Sequence, residues 1–598
     1  MKHRQYTDKW TEGVASGRPW SAARHAVREA LLLTGLLAGL ALAQATFAAM
    51  QPPADETMGQ AERALQAAYE AAEEGKEKRL AALIEQHHEL WAGHALGLYP
   101  HFWWLRLQLN EPVASGGVAR STLDNEVAAF IRRHAGSVLA DQLHQQWVLN
   151  LGLRAAASGD WRAFERERAQ LAVATPSEPL QCVDQLADYR RQQSAGLHDG
   201  QTSALAPKDV AWADRAREAK ALLAATRQSG SAACMRLTEA LIDDNRLNVW
   251  DQARNLVEWG QISRARDLLE RVPAAQGQEA RAALRAPAHW LMEVSRQVKR
   301  SGSASGVQRK IAMLALARLS TSKPDLAMRH AQTLNLQFSP EERALVWGRI
   351  GHMLALGHAP EAMDAYRRAG VRVGALEGTS RAEEVLAWQV RTALRAEHGS
   401  DWAMVRQAIE RMPEAMRKEP VWVYWYARAL GSDKPSAQDS ANAQRLLRSI
   451  AGEVHFYGLL AAEALGEPVR LPSSVAITPE AVKQFESNEG LQRAFTLYRL
   501  GLRAEGNREW WWQVKRARGG QGLDDAGLLA LAQFAQSRGV WDRAIATSEQ
   551  TQESMDLYQR YPTPHREQLF EHAAATGLDP TWIYGLIRQE SRFIVDVR

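Results

Sequence analysis

The sequence predicts an all-α protein, most of which forms an irregular α-superhelix of helical hairpins at residues 50–470. Three observations support this fold class. The strong helix formers Ala, Leu, Arg, Glu and Gln dominate from about residue 55 to 470. Apolar residues recur there at three- and four-residue spacing, which is the period of one helix face. Clean alternation of apolar and polar residues, the mark of a half-buried strand, is absent from the sequence.

Short polar breaks separate the predicted helices of the superhelix. They are Asn110-Glu-Pro112, Ser158-Gly-Asp160, Gln337-Phe-Ser-Pro340 and Gly399-Ser-Asp401. Two longer stretches, Ser194 to Pro207 and Arg300 to Gly306, have the composition of loops or insertions. The short breaks predict that successive helices pair as antiparallel neighbours.

The clearest of these hairpins spans residues 341–369. Its large and small apolar residues have the spacing of one tetratricopeptide-type unit, and they are Trp347, Ile350, Gly351, Leu354, Ala362, Ala365 and Tyr366. In such a unit the small residues let two helices approach closely, and the large ones fill the gap between neighbours. Other hairpins do not keep one fixed period, so we predict an irregular superhelix and not a regular repeat array.

Two further segments follow the superhelix. A turn-rich connector from Leu471 to Pro479 leads into a compact helical segment, which we predict to be a linker domain at residues 478–556. The tryptophans at 510–512 in this segment favour core or inter-domain packing over a sugar-stacking platform, because consecutive positions on a helix cannot all face one way. A third unit begins near Tyr561-Pro-Thr-Pro564 and occupies residues 561–598.

The first 45 residues predict a secretory signal peptide. Basic residues, among them Arg24 and Arg28, precede the apolar run from Leu31 to Ala43, and Ala43-Gln44-Ala45 fits a cleavage site. The alternative is an uncleaved N-terminal anchor. No stretch after residue 50 approaches the roughly 20 apolar residues that span a bilayer, so we expect no stable membrane span after cleavage.

Charge and cysteine content narrow the function classes. The whole chain carries a net charge of +4, of which residues 1–45 contribute +3, so the mature chain is close to neutral. This near-neutral charge argues against nucleic-acid binding, which needs a strong basic patch.

The two cysteines, Cys182 and Cys234, are candidates for a disulfide in an exported protein. Closing a loop of that length stabilises the folded state by ~4 kcal/mol. Two buried thiols are the alternative.

One carboxylate near the end of the sequence has an unusual position. Asp579-Pro580 begins a predicted helix that extends through Arg592. At about 100° per residue, Glu590 falls in the middle of the apolar stripe that includes Ile583 and Leu586. Burial there favours the protonated form, which a general acid requires. The alternative is a structural Glu whose charge is satisfied by an Arg or a backbone N–H from another segment.

The residues around Glu590 resemble a known catalytic motif. The segment from Pro580 through Trp582, Tyr584 and Gln589-Glu590-Ser591 to Phe593 is similar to the start of the lysozyme-like domain of soluble lytic murein transglycosylases. Residues 401–466, including Trp422-x-Tyr424-Trp425 and Phe456-Tyr457-Gly458, resemble the end of the superhelical domain of that family, and 478–556 resembles its linker domain. The resemblance implies that the superhelical domain closes into a ring.

The resemblance also implies a function. In this family the enzyme cleaves the β-1,4 bond between N-acetylmuramic acid and N-acetylglucosamine in peptidoglycan and forms a 1,6-anhydro sugar. Glu590 falls on the single catalytic acid of the family, which acts first as acid and then as base, and Ser591 is a candidate substrate contact. The location implied is the periplasm. The partners expected are glycan strands and other cell-wall enzymes, with the protein a monomer that needs no cofactor.

The sequence departs from the family pattern after Glu590. The Gly-Leu-Met-Gln and Ala-Tyr-Asn-Ala-Gly segments that line the saccharide groove of the family are not present in the sequence, which ends eight residues after Glu590. We therefore expect a truncated lysozyme-like domain, and no transglycosylase activity from the 598-residue chain alone. A non-catalytic periplasmic scaffold that binds peptidoglycan or a protein partner is one alternative function. A muramidase that adds water is another.

Two motifs suggest other chemistry but lack the geometry that this chemistry needs. His87-His88-Glu89 with His94 lacks the H-E-x-x-H spacing that places two imidazoles on one helix face, so we predict no metal site. Ser320-Thr-Ser-Lys323 matches the S-x-x-K pattern of penicillin-recognising enzymes. The following Pro324 moves Lys323 out of helical geometry, which argues against that reading.

Overall fold

Every regular element in the described part of the protein is helical. The computed structural model describes residues 59–110, 120–171, 176–197, 207–228, 230–370, 381–397, 399–469, 471–473 and 475–595. The all-α prediction is confirmed across these ranges. The predicted signal peptide and most of the predicted loop from Ser194 to Pro207 lie outside them. The domain boundaries 50–470, 478–556 and 561–598 stay predictions.

The chain divides into two compact units, one ending at Trp104 and one beginning at Leu105. The first helices are α1 (Gln60–Glu73), α2 (Glu77–Trp91) and α3 (Tyr99–Asn110), the last of which crosses the boundary. α1 and α2 form a hairpin in which Leu65 and Leu80 are fully buried. The Trp91 indole N–H donates to the Ala61 carbonyl oxygen at 3.1 Å, which ties the end of α2 to the start of α1.

The second unit begins with paired helices. They are α4 (Arg120–Arg133), α5 (Val138–Ser158), α6 (Arg162–Gln170), α7 (Glu178–Leu197), α8 (Pro207–Ala225) and α9 (Ala232–Asp243). α4 packs on α5, where the Trp147 indole N–H donates to Asp124 at 2.7 Å. α7 packs on both α5 and α9.

The middle of the second unit has one large apolar core and, at residues 424–461, a second and smaller one. Its helices are α10 (Val249–Glu258), α11 (Ile262–Leu268), α12 (Ala274–Arg285), α13 (Pro287–Ser301), α14 (Gly306–Ser320), α15 (Pro324–Leu334), α16 (Pro340–Leu356), α17 (Ala362–Ala369), α18 (Ala382–Leu394), α19 (Trp402–Glu410), α20 (Glu414–Arg417), α21 (Pro420–Leu430), α22 (Ala437–Ile450) and α23 (Phe456–Leu465). Short 3₁₀ turns occur at Leu269–Arg271 and Asn335–Gln337. The large core extends from Met235 to Ala429, with α10, α14, α16 and α18 packed side by side in that order.

The hairpin α16–α17 shows how small and large residues cooperate. Trp347 and Tyr366 are almost fully buried, and Gly351 lies against the Tyr366 ring. A Cβ atom added at Gly351 would lie 3.1 Å from that ring, so only glycine allows this approach without displacement. The spacing read from residues 341–369 therefore predicted a real hairpin and its close contact.

Three of the predicted polar breaks contain helix caps, and the fourth, Asn110-Glu-Pro112, lies mostly outside the described residues. Ser339 accepts a hydrogen bond from the Glu342 backbone N–H, and Glu342 accepts one from the Ser339 N–H, so the two form a capping box at the start of α16. Asp401 caps α19 through the Met404 N–H at 3.0 Å. Gly159 ends α5 with a positive φ of 80°. These residues satisfy backbone groups that a helix leaves without partners at its ends.

The last part of the second unit is a smaller helical cluster followed by a hairpin. Its helices are α24 (Pro479–Lys483), α25 (Glu489–Arg499), α26 (Arg503–Gly520), α27 (Asp525–Ser537), α28 (Trp541–Ser548), α29 (Leu557–Arg560), α30 (Arg566–Thr576) and α31 (Pro580–Ser591). Trp510 is fully buried in the cluster, and its indole N–H donates to the Thr547 hydroxyl at 2.9 Å. Among the described residues, no helix is long and apolar enough to cross a membrane.

Two segments of the second unit that are far apart in the sequence are in contact. The Trp512 indole N–H donates to the carbonyl oxygen of Gly136 at 3.2 Å, and the Arg516 guanidinium donates to the same oxygen. We call Trp512, Arg516 and Gly136 the clasp. Glu505 lies 3.8 Å from Arg106, which adds an ion pair between the same two regions. Within this unit the first helices therefore meet α26.

Candidate active site on the last helix

The helix that carries Glu590 begins with a well-formed cap. The Asp579 carboxylate accepts hydrogen bonds from the Thr581 backbone N–H at 2.7 Å and from the Thr581 hydroxyl at 2.6 Å. These bonds hold the pKa of Asp579 below its usual value. Pro580 occupies the first turn, where its missing N–H costs nothing. The sequence therefore fixes the start of α31 locally.

One face of α31 packs on the rest of the chain. Tyr584 is buried, and its hydroxyl donates to the Pro564 carbonyl oxygen at 2.8 Å. Arg588 donates from Nε to the Arg560 carbonyl oxygen at 2.7 Å. The Tyr584 ring centroid also lies 6.1 Å from that of Phe593. The docked face is therefore built on Tyr584 and Arg588.

The structure corrects the expected surroundings of Glu590. Its side chain is exposed, and within the apolar stripe Leu586 is 37% exposed while Ile583 and Ile587 are only half-buried. The physical reason is that an aromatic hydroxyl and an arginine with specific polar partners dock the opposite face. Among the described residues the stripe is at most half covered, so this part of the chain does not form the buried apolar environment expected of a general acid.

The helix ends one residue before the predicted end at Arg592. Arg592 and Phe593 have φ values of 51° and 64°, which are left-handed conformations that stop α31 at Ser591. The Ser591 hydroxyl donates to the Ile587 carbonyl oxygen and accepts from the Phe593 N–H, both at 3.1 Å. Ser591 thus shapes the helix end. Its role as a substrate contact stays a prediction, as does the catalytic role of Glu590.

A feature that the sequence reasoning missed is the partner of the two arginines on this helix. Arg588 and Arg592 both pair with Glu549, at 2.7 Å and 3.0 Å. At about 100° per residue Arg588 lies on the side of the helix opposite Glu590, so it requires an acceptor elsewhere. No local pattern singles out Glu549 among the acidic residues, because the pair is 39 residues apart.

The other predicted residues have clear places. Cys182 on α7 and Cys234 on α9 form a disulfide, with Cα atoms 5.0 Å apart. Among the described residues no cluster of His, Cys, Asp and Glu could hold a metal ion. His88 bonds its own helix backbone at Glu85, and His94 accepts from the Leu96 N–H.

The rejected nucleophile motif and the tryptophan run are structural. The Ser320 hydroxyl donates to the Ala317 carbonyl oxygen, and Lys323 is the N-cap of α15 with a non-helical φ of −142°. Trp510 is core, and Trp512 belongs to the clasp. The packing interpretation of the tryptophans at 510–512 is therefore confirmed for these two rings.

Comparison with known proteins identifies the cluster that precedes this helix. Residues 484–554, which include α25–α28, match the family model of the soluble lytic murein transglycosylase L domain. This segment of the chain is therefore similar to the L domain of that family. Glu549, which holds α31, is therefore a residue of the family's L domain.

Solved structures show the fold that the family shares. The chain is similar to the lytic transglycosylase Slt of Pseudomonas aeruginosa, solved as an inactive mutant, with 22% identity and a TM-score of 0.53 over 89% of this chain and 78% of that one. It is also similar to the 70-kDa soluble lytic transglycosylase of Escherichia coli, with 17% identity and a TM-score of 0.48 over 88% and 76%. No curated protein matches the chain significantly.

Proposed function

We propose that this protein is a peptidoglycan lytic transglycosylase in which Glu590 is the catalytic residue. One observation carries the proposal. An L domain of the soluble lytic murein transglycosylases is followed, after a short connection, by a helix that presents Gln589-Glu590-Ser591 with the Glu590 carboxylate exposed. Glu590 is therefore accessible to a substrate, and the helix that bears it is docked on that L domain.

The proposed reaction needs only one carboxyl group. The Glu590 carboxylic acid donates its proton to the glycosidic oxygen, and the bond between that oxygen and C1 of N-acetylmuramic acid breaks with its electron pair on the oxygen. The C6 hydroxyl oxygen of the same sugar forms a bond to C1, and its proton passes to the Glu590 carboxylate. No water is consumed, and the acid is restored.

Because Glu590 gives up one proton and takes one back, a second carboxylate is not required. Ordinary glycosidases use two carboxyl groups, one to protonate the leaving oxygen and one to activate water or attack the sugar. In the proposed reaction the substrate's own hydroxyl replaces water as the nucleophile. The product is consequently a 1,6-anhydro sugar that is one water lighter than the product of a muramidase.

The proposed setting is the periplasm, with glycan strands as substrate. The sequence of residues 1–45 supports export, and the disulfide between Cys182 and Cys234 fits an oxidising compartment. We further propose that the protein is a monomer and that other cell-wall enzymes are its partners.

A non-catalytic scaffold is the second candidate function. The observation in its favour is that the described residues leave Glu590 exposed, with the apolar stripe beside it only partly covered. In that case the helical units bind peptidoglycan or a protein partner, and no bond is cleaved.

The test is product analysis on purified peptidoglycan. The natural gene product is incubated with peptidoglycan sacculi, and released fragments are identified by mass. We expect anhydro-muropeptides from the wild type and a loss of at least about a hundredfold in Glu590→Gln, because general acid catalysis typically contributes that much or more. Glu571→Gln, which alters an exposed Glu on the neighbouring α30, is the matched control and should retain activity.

The outcomes separate the candidates. Hydrated fragments in place of anhydro fragments would show a muramidase. Sedimentation with sacculi without any release, equal for wild type and Glu590→Gln, would show a scaffold. Full activity in Glu590→Gln would refute the assignment of the catalytic residue.

A further inference from the structure

The orientation of the last helix depends on one carboxylate of the L domain. Glu549 is the C-cap residue of α28, and its two oxygens accept from different arginines. Oε1 lies 2.7 Å from Arg588, and Oε2 lies 3.0 Å from Arg592. A single carboxylate thus binds the last turn of α31 and the residue that terminates it.

Arg588 is held from two further directions. Its Nε donates to the Arg560 carbonyl oxygen, and its guanidinium lies over the Tyr561 ring at 4.7 Å from the centroid. The side chain is only 21% exposed. A planar guanidinium that is fixed on an aromatic face and a carbonyl loses little further freedom when it also binds a carboxylate.

Apolar packing contributes little to the orientation of α31. Tyr584 is its one fully buried residue among those described, Ile583 and Ile587 are half-buried, and Trp582 and Leu586 are exposed. A helix in a globular protein is normally oriented by a buried apolar stripe. In α31 no residue of the stripe is fully buried, so the polar contacts of Arg588 and Arg592 contribute strongly to which face is turned outward.

The geometry connects these contacts to Glu590. Glu590 is two residues after Arg588, which is about 200° around the helix. When Arg588 and Arg592 are drawn toward Glu549, Glu590 points away from the L domain. Glu549 does not need to touch Glu590 to control its direction.

We propose that Glu549, Arg588 and Arg592 form a clamp that positions Glu590 relative to the L domain. This inference rests on the proposed function, since it assigns the three residues a role in presenting the catalytic carboxyl group to the glycan. They are positioning residues. The substrate of the positioned Glu590 is the peptidoglycan strand of the proposed function.

The first test measures the helix itself and does not involve the reaction. Glu549→Gln keeps the size of the side chain and removes its charge. We expect amide hydrogen exchange in residues 580–591 of the variant to rise roughly threefold to tenfold, because a charge-assisted anchor of a weakly packed element is lost. Glu410→Gln is the matched control, because Glu410 also has two partners, Arg406 and Tyr426, in a distant part of the chain.

The second test measures catalysis by the natural gene product. In Glu549→Gln we expect kcat to fall about tenfold with KM little changed, because misdirection of the acid affects the reaction more than binding. Glu549→Asp should give intermediate values, since it keeps the charge but is too short to reach both arginines. Combining Glu549→Gln with Arg592→Gln should add little to the effect of Glu549→Gln alone.

The results distinguish this proposal from the proposed function. Unchanged exchange in residues 580–591 of Glu549→Gln overturns the clamp, whatever the activity. Raised exchange with unchanged kcat overturns the positioning role. Raised exchange together with a wild-type protein that cleaves no glycan supports the clamp as a structural device and refutes the proposed function.

Discussion

At the scale of single residues, His352 is an example of chemistry controlled by packing. It is 1% exposed on α16, and burial together with Arg349, Arg381 and Arg391 lowers its pKa to about 3. The imidazole is therefore neutral in the folded protein throughout the physiological range. A protonated ring would add a charge to an enclosed site that already faces three guanidinium groups.

His352 should make the folded protein sensitive to acid. In the unfolded chain its pKa is about 6.5, so between that pH and about 3 the unfolded state binds more protons. Stability is thus lost as the pH falls through this window. We expect the free energy of unfolding, measured with urea, to drop more for wild type than for His352→Gln between neutral pH and about pH 4.5.

An exposed histidine supplies the control for this prediction. His289→Gln on α13 should follow the wild-type pH dependence. Parallel pH profiles for wild type and His352→Gln would contradict the argument.

The surroundings of Glu590 could be predicted only in part from the sequence. Helical periodicity correctly placed Glu590 beside Leu586 on one face of α31. It could not show which face would dock, because Tyr584 and Arg588 find their partners, Pro564 and Glu549, in distant turns. An apolar stripe indicates burial only when another element covers it, and that information is not local.

At the scale of elements, most helices could be predicted because their signals are local. Composition, apolar spacing and caps such as Ser339 and Asp401 act within one or two turns. The pairing of α16 with α17 was also predictable, since Gly351 and Tyr366 mark a close approach. The disulfide partners followed from the count of two cysteines, once export was inferred.

The contact at Gly351 gives a test of hairpin packing. In Gly351→Ala the added Cβ meets the buried Tyr366 ring at 3.1 Å. We expect a loss of about 1 to 2 kcal/mol in the free energy of unfolding, despite the better helix propensity of Ala, because overpacking a tight core is destabilising.

The comparison for this variant is another helical glycine. In Gly306→Ala the added Cβ lies no closer than 3.9 Å to any neighbour, the guanidinium of Arg309. That variant should be neutral or slightly stabilised in the same denaturation experiment. Equal effects of the two substitutions would show that the hairpin is less tightly packed than the distances indicate.

At the scale of the whole second unit, the clasp is the contact that sequence reasoning could not locate. A ring was expected from the family resemblance, but nothing in the sequence names Gly136 as the acceptor or Trp512 and Arg516 as the donors. Gly136 has a φ of 85°, and a Cβ there would lie 2.8 Å from the Arg516 guanidinium. The turn must therefore carry no side chain at Gly136, so that both donors can reach its carbonyl oxygen.

Removing both donors should loosen this contact without unfolding the helices. In a Trp512→Ala, Arg516→Ala variant we expect faster amide exchange in residues 134–141 and a larger radius of gyration in solution scattering. The circular dichroism of the helices should not change, because both side chains lie at the surface of α26.

A remote arginine serves as the control for the clasp variant. Arg445→Ala on α22 should leave exchange and scattering as in the wild type. If the clasp variant also matches the wild type, other contacts, such as Arg106 with Glu505, suffice to hold the two regions together.

The clasp also has a consequence for the synthesis of the protein on the ribosome. Its two sides are 380 residues apart in sequence. At about 5 to 20 residues per second, the turn at Gly136 waits roughly 20 to 80 s for its partner to be synthesised. During that interval the early helices have time to fold by themselves, yet their surface near Gly136 stays uncovered, which makes it a surface for chaperones to protect.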